Sequence, residues 1–330
     1  MVHYDVEREL LPPVEWLNAA AKRSGDMPPT RWAVLSVAAA LATIALKLAA
    51  FRLTGSVGLL SDAGESLVNL AAALMALFAL WYAAHPADRD HTYGHSKIEY
   101  FASGIEGTLI LVAGGGIIFA AGFRLFHPTP LAALGTGLAI SLGAAAINLA
   151  VAQVLLRVAH RSRSIALEAD AQHLMTDVWT TVGVVAGLGL VLVTGLTWLD
   201  PLLALVVGLH ILRAGGLLLW RSFQGLMDTA LAPSDVAVIV QAIEDCLEPG
   251  MTFHELRTRR SGARQFADVH VLVPGEHSVH DAHRRATTIE QAVRTALPAT
   301  EMVVHVEPLE GHRTTATPVA LAASQSETQT

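Results

Sequence analysis

Ser61-Asp62-Ala63-Gly64-Glu65-Ser66-Leu67-Val68-Asn69 and Ala169-Asp170-Ala171-Gln172-His173-Leu174-Met175-Thr176-Asp177 share one polar spacing. Each sets polar side chains at i, i+3 and i+7: Asp62, Glu65 and Asn69 in the first, Asp170, His173 and Asp177 in the second. On an α-helix those offsets fall on one face. Both stretches sit inside or at the edge of long apolar runs. Ionisable groups within a membrane span are costly, and they persist where they pair with one another or line a pathway. The two stretches read as two halves of one divalent-metal site.

The rest of the chain supports a membrane setting. It has 330 residues, 52% of them hydrophobic and only 15% charged, against about 25% charged in a soluble domain. The deficit is uneven: residues 32–220 are nearly all apolar, and the charge lies outside or between the runs. A hydrocarbon core about 30 Å thick needs about 20 apolar residues of helix. Six runs qualify, at about 31–53, 56–84, 98–126, 130–158, 167–196 and 199–222. Thr54-Gly55-Ser56, the prolines Pro128 and Pro130, and Thr197-Trp198-Leu199-Asp200-Pro201 mark breaks between them. Basic residues gather on one side: Lys22, Arg23 and Arg31, then Arg89 and Lys97, then Arg157, Arg161 and Arg163, then Arg213 and Arg221. The opposite loops carry little beyond Arg52 and Arg124. That bias places both termini in the cytoplasm, in an inner (plasma) membrane.

The formal charge of −7 gives no footing for nucleic acid. Fifteen histidines stand against one cysteine, Cys246. A disulfide within the chain is excluded and thiolate metal chemistry is disfavoured. Imidazole and carboxylate ligands suit Zn, Fe, Co, Ni or Mn. The N-terminal stretch carries acids and Pro12-Pro13 rather than the short apolar core of a signal peptide. Leu10 to Leu17 has the makings of a short interfacial helix.

Composition changes near Pro233. Ser234 to Leu247 has helical periodicity, Phe253–Arg260 and Gln265–Val273 read as strands, Val279–Leu297 as a second amphipathic helix and Met302–Val306 as a third strand. The order α-β-β-α-β predicts a small α+β sheet of ferredoxin-like type with helices on one face. The expected organisation is a cytoplasmic segment over 1–30, a six-helix transmembrane domain over 31–222, a linker over 223–232, a cytoplasmic metal-binding and dimerisation domain over 233–310, and a disordered tail over 311–330.

Three constellations carry chemistry. With both termini inside, spans two and five are antiparallel, which sets Glu65 at the depth of Asp177 and Asn69 at the depth of His173. Asp62 then lies towards the outer mouth and Asp170 towards the inner one, as accessory residues. A tetrahedral site of carboxylate, amide and imidazole suits a divalent ion. The alternative is polar glue between helices without metal. In the loop between spans two and three, Asp88, His91 and His95 repeat the i, i+3, i+7 spacing, as a metal site or as a solvated loop. In the C-terminal part, His254 and His270 lie on successive strands, His305 and Glu307 point to one face of the third, and His283 lies on the second helix. Lys47, Glu106, Asn148 and Gln153 are further polar residues within spans. Lys47 can snorkel towards an interface or pair with an acid, and packing glue is one reading of Glu106, Asn148 and Gln153, with Glu106 the acid to watch. Gly114-Gly115-Gly116 lies mid-span, where small residues permit close helix approach.

At these residues the chain resembles a family, the cation diffusion facilitators, proton-coupled exporters of divalent metals. The resemblance runs from about Leu35 to Pro308 and rests on Thr54 to Val57, Ser61 to Asn69, His85 to Glu99, Ala169 to Asp177, His254 to Arg259 and Val304 to Pro308. It implies a homodimer with six spans per subunit and a cytoplasmic domain similar to a metallochaperone. It also implies a transport site on Glu65, Asn69, His173 and Asp177. The unperturbed pKa of histidine, about 6.5, makes His173 the expected proton-coupling residue, with Asp177 and Glu65 as candidates to share the role. A loop site on Asp88, His91 and His95 is implied as well, and a third on His254, His270, His305 and Glu307 with His283 nearby. Lys97 and Asp228 occupy the places of a charge interlock at the dimer interface. Many relatives place Asp-x-x-x-Asp or His-x-x-x-Asp on span two; here it is Glu-x-x-x-Asn, one negative charge fewer. Zn2+ and Fe2+ are the expected ions, with Mn2+, Co2+ and Cd2+ open. The expected function is proton-coupled export of such ions across the lipid bilayer; the alternative is a membrane-anchored metal sensor or scaffold. An enzyme is not expected: a zinc protease would need His-Glu-x-x-His, absent from every span.

Overall fold

The computed structural model describes residues 29–54, 57–127, 136–196 and 198–310. Some side chains within helices, those of Asp62 and Glu65 among them, lie outside the description, as do the expected N-terminal interfacial helix and the C-terminal tail. The six apolar runs form six long helices: α1 (Pro29–Thr54), α2 (Val57–Ala83), α3 (Ile98–Phe126), α4 (Thr136–Ser162), α5 (Ile165–Thr194) and α6 (Leu199–Leu226). Five are long and apolar enough across their described residues to cross a bilayer; α2 adds the apolar stretch Asn69–Ala83. Large apolar side chains such as Leu74, Trp81, Phe119, Val193 and Trp220 point outward, which suits lipid rather than water as the surrounding solvent. α6 runs past the expected end at 222, which leaves 227–232 as the connection to the next helix.

α5 is the hub. It packs against α1, α2, α3 and α4. Its ends are set by local chemistry. Ser164 is extended at the N-cap and its hydroxyl accepts from the Leu167 amide, which satisfies one of the first free N–H groups. Gly195, at φ 72°, closes the other end in the left-handed conformation, the usual role of a glycine just past a helix. Ser164 Oγ also donates to buried Glu99 Oε2 at 2.5 Å, which ties the starts of α3 and α5 together. α3 and α6 approach closely through small residues. A Cβ on Gly107 would lie 3.1 Å from the Leu219 nitrogen and 3.3 Å from the Gly215 oxygen, so only glycine permits this separation.

The residues from Gly225 onward form a separate compact unit. It contains α7 (Pro233–Glu244), β1 (Thr252–Ser261), β2 (Arg264–Val273), α8 (Val279–Ala296) and β3 (Thr300–Pro308). The sheet order is β1-β2-β3, with β1 and β2 antiparallel and β2 and β3 parallel. Ile239 and Ile243 of α7, Ile289 and Val293 of α8, and Val269, Val271 and Met302 of the strands make one core. Both helices therefore cover the face that carries the odd-numbered residues of β2. By strand alternation His270 faces away from them. β1 bulges between His254 and Arg257, with Glu255 at φ 49°. The extra residue lets Phe253 and Leu256 both pack on the core while His254 keeps the other face.

Candidate metal centres

The membrane centre is built where α2, α4 and α5 meet. Asn69 and His173 are buried, at 5% and 7% exposure. His173 Nε2 donates to Asn69 Oδ1 at 2.8 Å, and Asn69 Nδ2 donates to Asp177 Oδ2 at 2.5 Å. One amide thus bridges an imidazole and a carboxylate with both of its ends. The reverse orientation of the amide would set its N–H2 against the ring N–H and its oxygen against the carboxylate. Asn148 of α4 donates a second bond to the same Asp177 oxygen, at 2.9 Å. Asp177 is half-buried, and a partly desolvated carboxylate is stabilised by such donors, bonds to a charged acceptor being the strong ones. Three members of the expected quartet therefore converge; the side chain of Glu65, like that of Asp62, lies outside the described residues. His173 Nδ1 is buried and has no hydrogen-bond partner among the described residues.

One feature goes beyond the sequence reading. Asn148 belongs to the centre rather than to general packing. A lone amide in an apolar run has no periodic partner to mark it, and the only signal was its cost in a span. Asp170, expected as an accessory residue, has a partner of its own: its Oδ1 accepts from Ser36 of α1 at 2.8 Å, so it stands apart from the bridged trio.

The loop centre follows α2. Asp88 Oδ1 accepts from the amides of His91 at 2.6 Å and Asp90 at 3.0 Å, and pairs with His91 Nδ1 at 3.2 Å. Asp88 Oδ2 lies 3.3 Å from His95 Nε2. The His91 amide above all, opposed by a smaller desolvation cost and helped by the Asp90 amide and the His91 ring, holds the Asp88 carboxyl below its usual range. The His91 and His95 rings are 4.5 Å apart, and buried His95 sets its ring edge-on to Tyr82 at 4.7 Å. One donor atom from each of Asp88, His91 and His95 falls within 4.8 Å of the others.

The third centre is a ladder across the sheet. His254 pairs in register with His270, and His270 with His305. Side chains in register on one face are neighbours about 5 Å apart, and the ring centroids lie 5.2 Å and 4.8 Å apart. Glu307 closes the cluster. Its Oε1 lies 2.9 Å from His270 Nδ1 and 3.5 Å from His305 Nε2, and its Oε2 lies 3.3 Å from His254 Nε2. Burial raises the Glu307 carboxyl, but hydrogen bonds from His254 and His270 and the charge of those rings outweigh it and hold the group below its usual range. Donor atoms of His254, His270 and Glu307 fall within 4.8 Å of one another. His283 stands apart from the ladder within one subunit. It is exposed on α8, and α8 buries Ala282, Ala286, Ile289 and Val293 against the opposite face of the sheet, so within one subunit His283 lies on the far side from the ladder. Asp228 pairs with Arg259 at 3.5 Å within the cytoplasmic unit, and Lys97 immediately precedes α3.

Six apolar helices followed by an α-β-β-α-β unit are an arrangement that known proteins share. Residues 33–227 match the cation efflux transmembrane domain, and residues 231–309 match the cytoplasmic domain of cation efflux proteins. The chain belongs to the cation efflux family. An uncharacterised transporter of Synechocystis sp. is 50% identical over 283 residues, 84% of this chain and 90% of that protein. The cation-efflux pump FieF of Klebsiella pneumoniae is 32% identical over 289 residues, 84% of this chain and 92% of the pump. The metal-bound C-terminal domain of the CzcD transporter from Thermotoga maritima is 26% identical, with a TM-score of 0.22, over 25% of this chain and all of that domain. This cation efflux protein is accordingly a membrane-spanning transporter of a family that moves metal cations, not one of enzymes.

Proposed function

We propose that the protein is a homodimeric, proton-coupled antiporter. It carries divalent transition-metal ions, Zn2+ or Fe2+ first among them, out of the cytoplasm across an inner (plasma) membrane in which both termini face the cytoplasm. The observation that supports this best is the bridged trio of Asn69, His173 and Asp177 within the spans. Its atoms are metal donors: an amide oxygen, an imidazole and a carboxylate, with Glu65 as the expected fourth. A metal ion takes an imidazole lone pair and an ionised carboxylate, so its arrival displaces protons and their return favours its release. His173 and Asp177 carry that exchange. In the hydrogen-bonded arrangement Asn69 satisfies both groups, so an incoming ion has to compete with its bonds to each. Asn69 Oδ1 is also the oxygen best placed to follow the imidazole onto the ion. Alternating access would rock helices about this midplane site, as in other secondary transporters.

The loop and ladder centres serve metal sensing and dimer stabilisation, and the Lys97–Asp228 pairing links subunits at their interface. Accessory Asp62 and Asp170 stand on the outer and inner approaches. The ladder is the centre with the most complete donor set among the described residues, which favours one second reading: a metal sensor anchored in the membrane, with no flux. Asp177→Ala in pH-clamped proteoliposomes separates the two. Metal-driven proton flux is expected to vanish, and flux at the wild-type rate would overturn the transport assignment. Parallel assays with Zn2+, Fe2+, Mn2+, Co2+ and Cd2+ rank the cargo.

A further inference from the structure

Glu106 of α3 is fully buried, and neither of its carboxyl oxygens has a hydrogen-bond partner among the described residues. Asp170 of α5 is 1% exposed. α3 and α5 pack together and are tied at their starts by Glu99 and Ser164. Glu106 lies seven residues beyond Glu99 and Asp170 six beyond Ser164, which puts the two acids at about one level of the bundle. Asp170 Oδ1 accepts from Ser36, which is itself fully buried, while Oδ2 also has no hydrogen-bond partner among the described residues. Three carboxyl oxygens without donors therefore sit in the interior, one of them on the carboxylate that the Ser36 hydroxyl braces. Orphaned buried oxygens of this kind call for an ion, a proton or water. Other buried acids of the bundle have donors: Glu99 has Ser164, and Asp177 has two amides. The other unpartnered buried atoms there, on His95, Asn148 and His173, each leave their side chain a second polar atom. The gap at Glu106 is local.

Its position is informative. Ser36, Glu106 and Asp170 all lie within the first three turns of α1, α3 and α5. The two helix starts on α3 and α5 are held together by Glu99 and Ser164. His173 lies three residues beyond Asp170, about 4.5 Å further along α5. The loop centre ends at His95, three residues before the start of α3 at Ile98. The cluster thus falls between the loop side of the bundle and the trio of Asn69, His173 and Asp177.

We propose that Glu106, Asp170 and the Ser36 hydroxyl form a separate, all-oxygen cation site that holds a divalent metal ion on its way to the transport centre. This rests on the transport reading of the trio. Two carboxylates supply the charge that draws a divalent ion from the loop side. The lack of any imidazole keeps the hold weaker than that of the next centre, for ions that favour nitrogen. Passage is then a step from oxygen ligands to a mixed set with His173.

The absence of nitrogen makes the site separable by spectroscopy. The loop, trio and ladder centres all contain imidazole, so Mn2+ bound at any of them couples to nitrogen. Pulsed electron paramagnetic resonance of the full-length protein loaded with Mn2+ is expected to show a nitrogen-free bound population. That population is expected to disappear in both Glu106→Gln and Asp170→Asn, with circular dichroism unchanged, and to remain in His173→Ala. If all bound Mn2+ couples to nitrogen, or if a nitrogen-free population survives both isosteric variants, the site does not exist and any such ions are surface-bound. If the two variants change only proton release while Mn2+ binding is untouched, the pair carries a proton instead and the proposal falls. The transport reading is tested independently by the flux of Asp177→Ala, so the two failures are distinguishable.

Discussion

The membrane trio and the cytoplasmic ladder use similar donors but hold them by opposite means. In the ladder, strand register fixes His254, His270 and His305 side by side, and one carboxylate gathers their ring nitrogens. The donors stay partly exposed, with 31% of the His270 side chain and 22% of the Glu307 side chain open. In the trio, side chains hold side chains: Asn69 spans His173 and Asp177, and Asn148 braces Asp177 from a third helix. The backbone supplies none of those bonds. A sheet presents a preformed site suited to holding an ion. A bundle whose donors bond to one another can exchange those bonds for an ion and take them back, which is what a carrier requires. The loop centre lies between the two, since backbone amides fix Asp88 while the histidines come from side chains.

The sharpest way to break this comparison is to remove one imidazole from each centre. His173→Ala is expected to reduce metal-driven flux about a hundredfold, the upper end of the loss seen when a metal site is damaged. His270→Ala is expected to keep most of the flux and to lower the number of metal ions bound at equilibrium. Flux in proteoliposomes and metal binding measured on the same preparations give both readouts. Equal loss of flux in the two variants would mean that the ladder is not merely a holding site.

Asn69→Asp gives the next largest effect. The substitution removes a donor to Asp177 and sets a second carboxylate against it. Without metal the variant is expected to lose about 1–3 kcal/mol at neutral pH, the cost of an unmade buried hydrogen bond. Zn2+ should restore that stability, and the ranking of ions by flux should change, because the centre gains a charge. Thermal unfolding with and without Zn2+ is the measurement. An unchanged ranking would place Asn69 outside the set of atoms that touch the ion.

These contrasts also show why some of the molecule was legible in the sequence and some was not. Apolar runs of about 20 residues have few alternatives to spanning helices, so α1 to α6 could be placed, with α6 underestimated because polar residues near its end still continue the helix. Strand alternation likewise placed His305 with Glu307. Periodicity within one helix revealed Asp170, His173 and Asp177 but could not say that Asp170 bonds to Ser36, 134 residues away. Asn148 was missed as a member of the centre for the same reason: its partner lies on another helix. That His283 lies across the sheet from the ladder within one subunit was not legible, because sequence order does not state which face of a sheet a helix covers.

Asn148→Ala is a smaller test of the side-chain scaffold. Asp177 keeps the bond from Asn69 but loses the one from Asn148. A hydrogen bond to a charged group contributes about 1.5–3 kcal/mol, so a lower unfolding temperature and a partial loss of flux are expected, milder than for His173→Ala. A variant with unchanged flux and unchanged unfolding temperature would show that Asn69 alone suffices to hold the carboxylate.

The smallest effect concerns the ladder and has a definite pH sign. Glu307 titrates below its usual range in the folded protein. An acid whose folded pKa is depressed contributes stability that is complete above the unfolded value, about 4.3 for Glu, and is lost as pH falls through the folded value. Glu307→Gln removes that contribution, so wild type and variant should differ most near neutral pH and converge in acid. Cys246 is the chain's single thiol and packs, half-buried, against the cytoplasmic core. Its thiol is raised by burial and by Asp245, neither of which the substitution touches, so the ratio of labelling rates in variant and wild type at each pH isolates the opening of the unit. The ratio should exceed one at neutral pH and fall towards one below about pH 4. A ratio of one at every pH would mean that Glu307 gathers the histidines without stabilising the sheet that carries them, and would bring the ladder closer in character to the exchangeable trio.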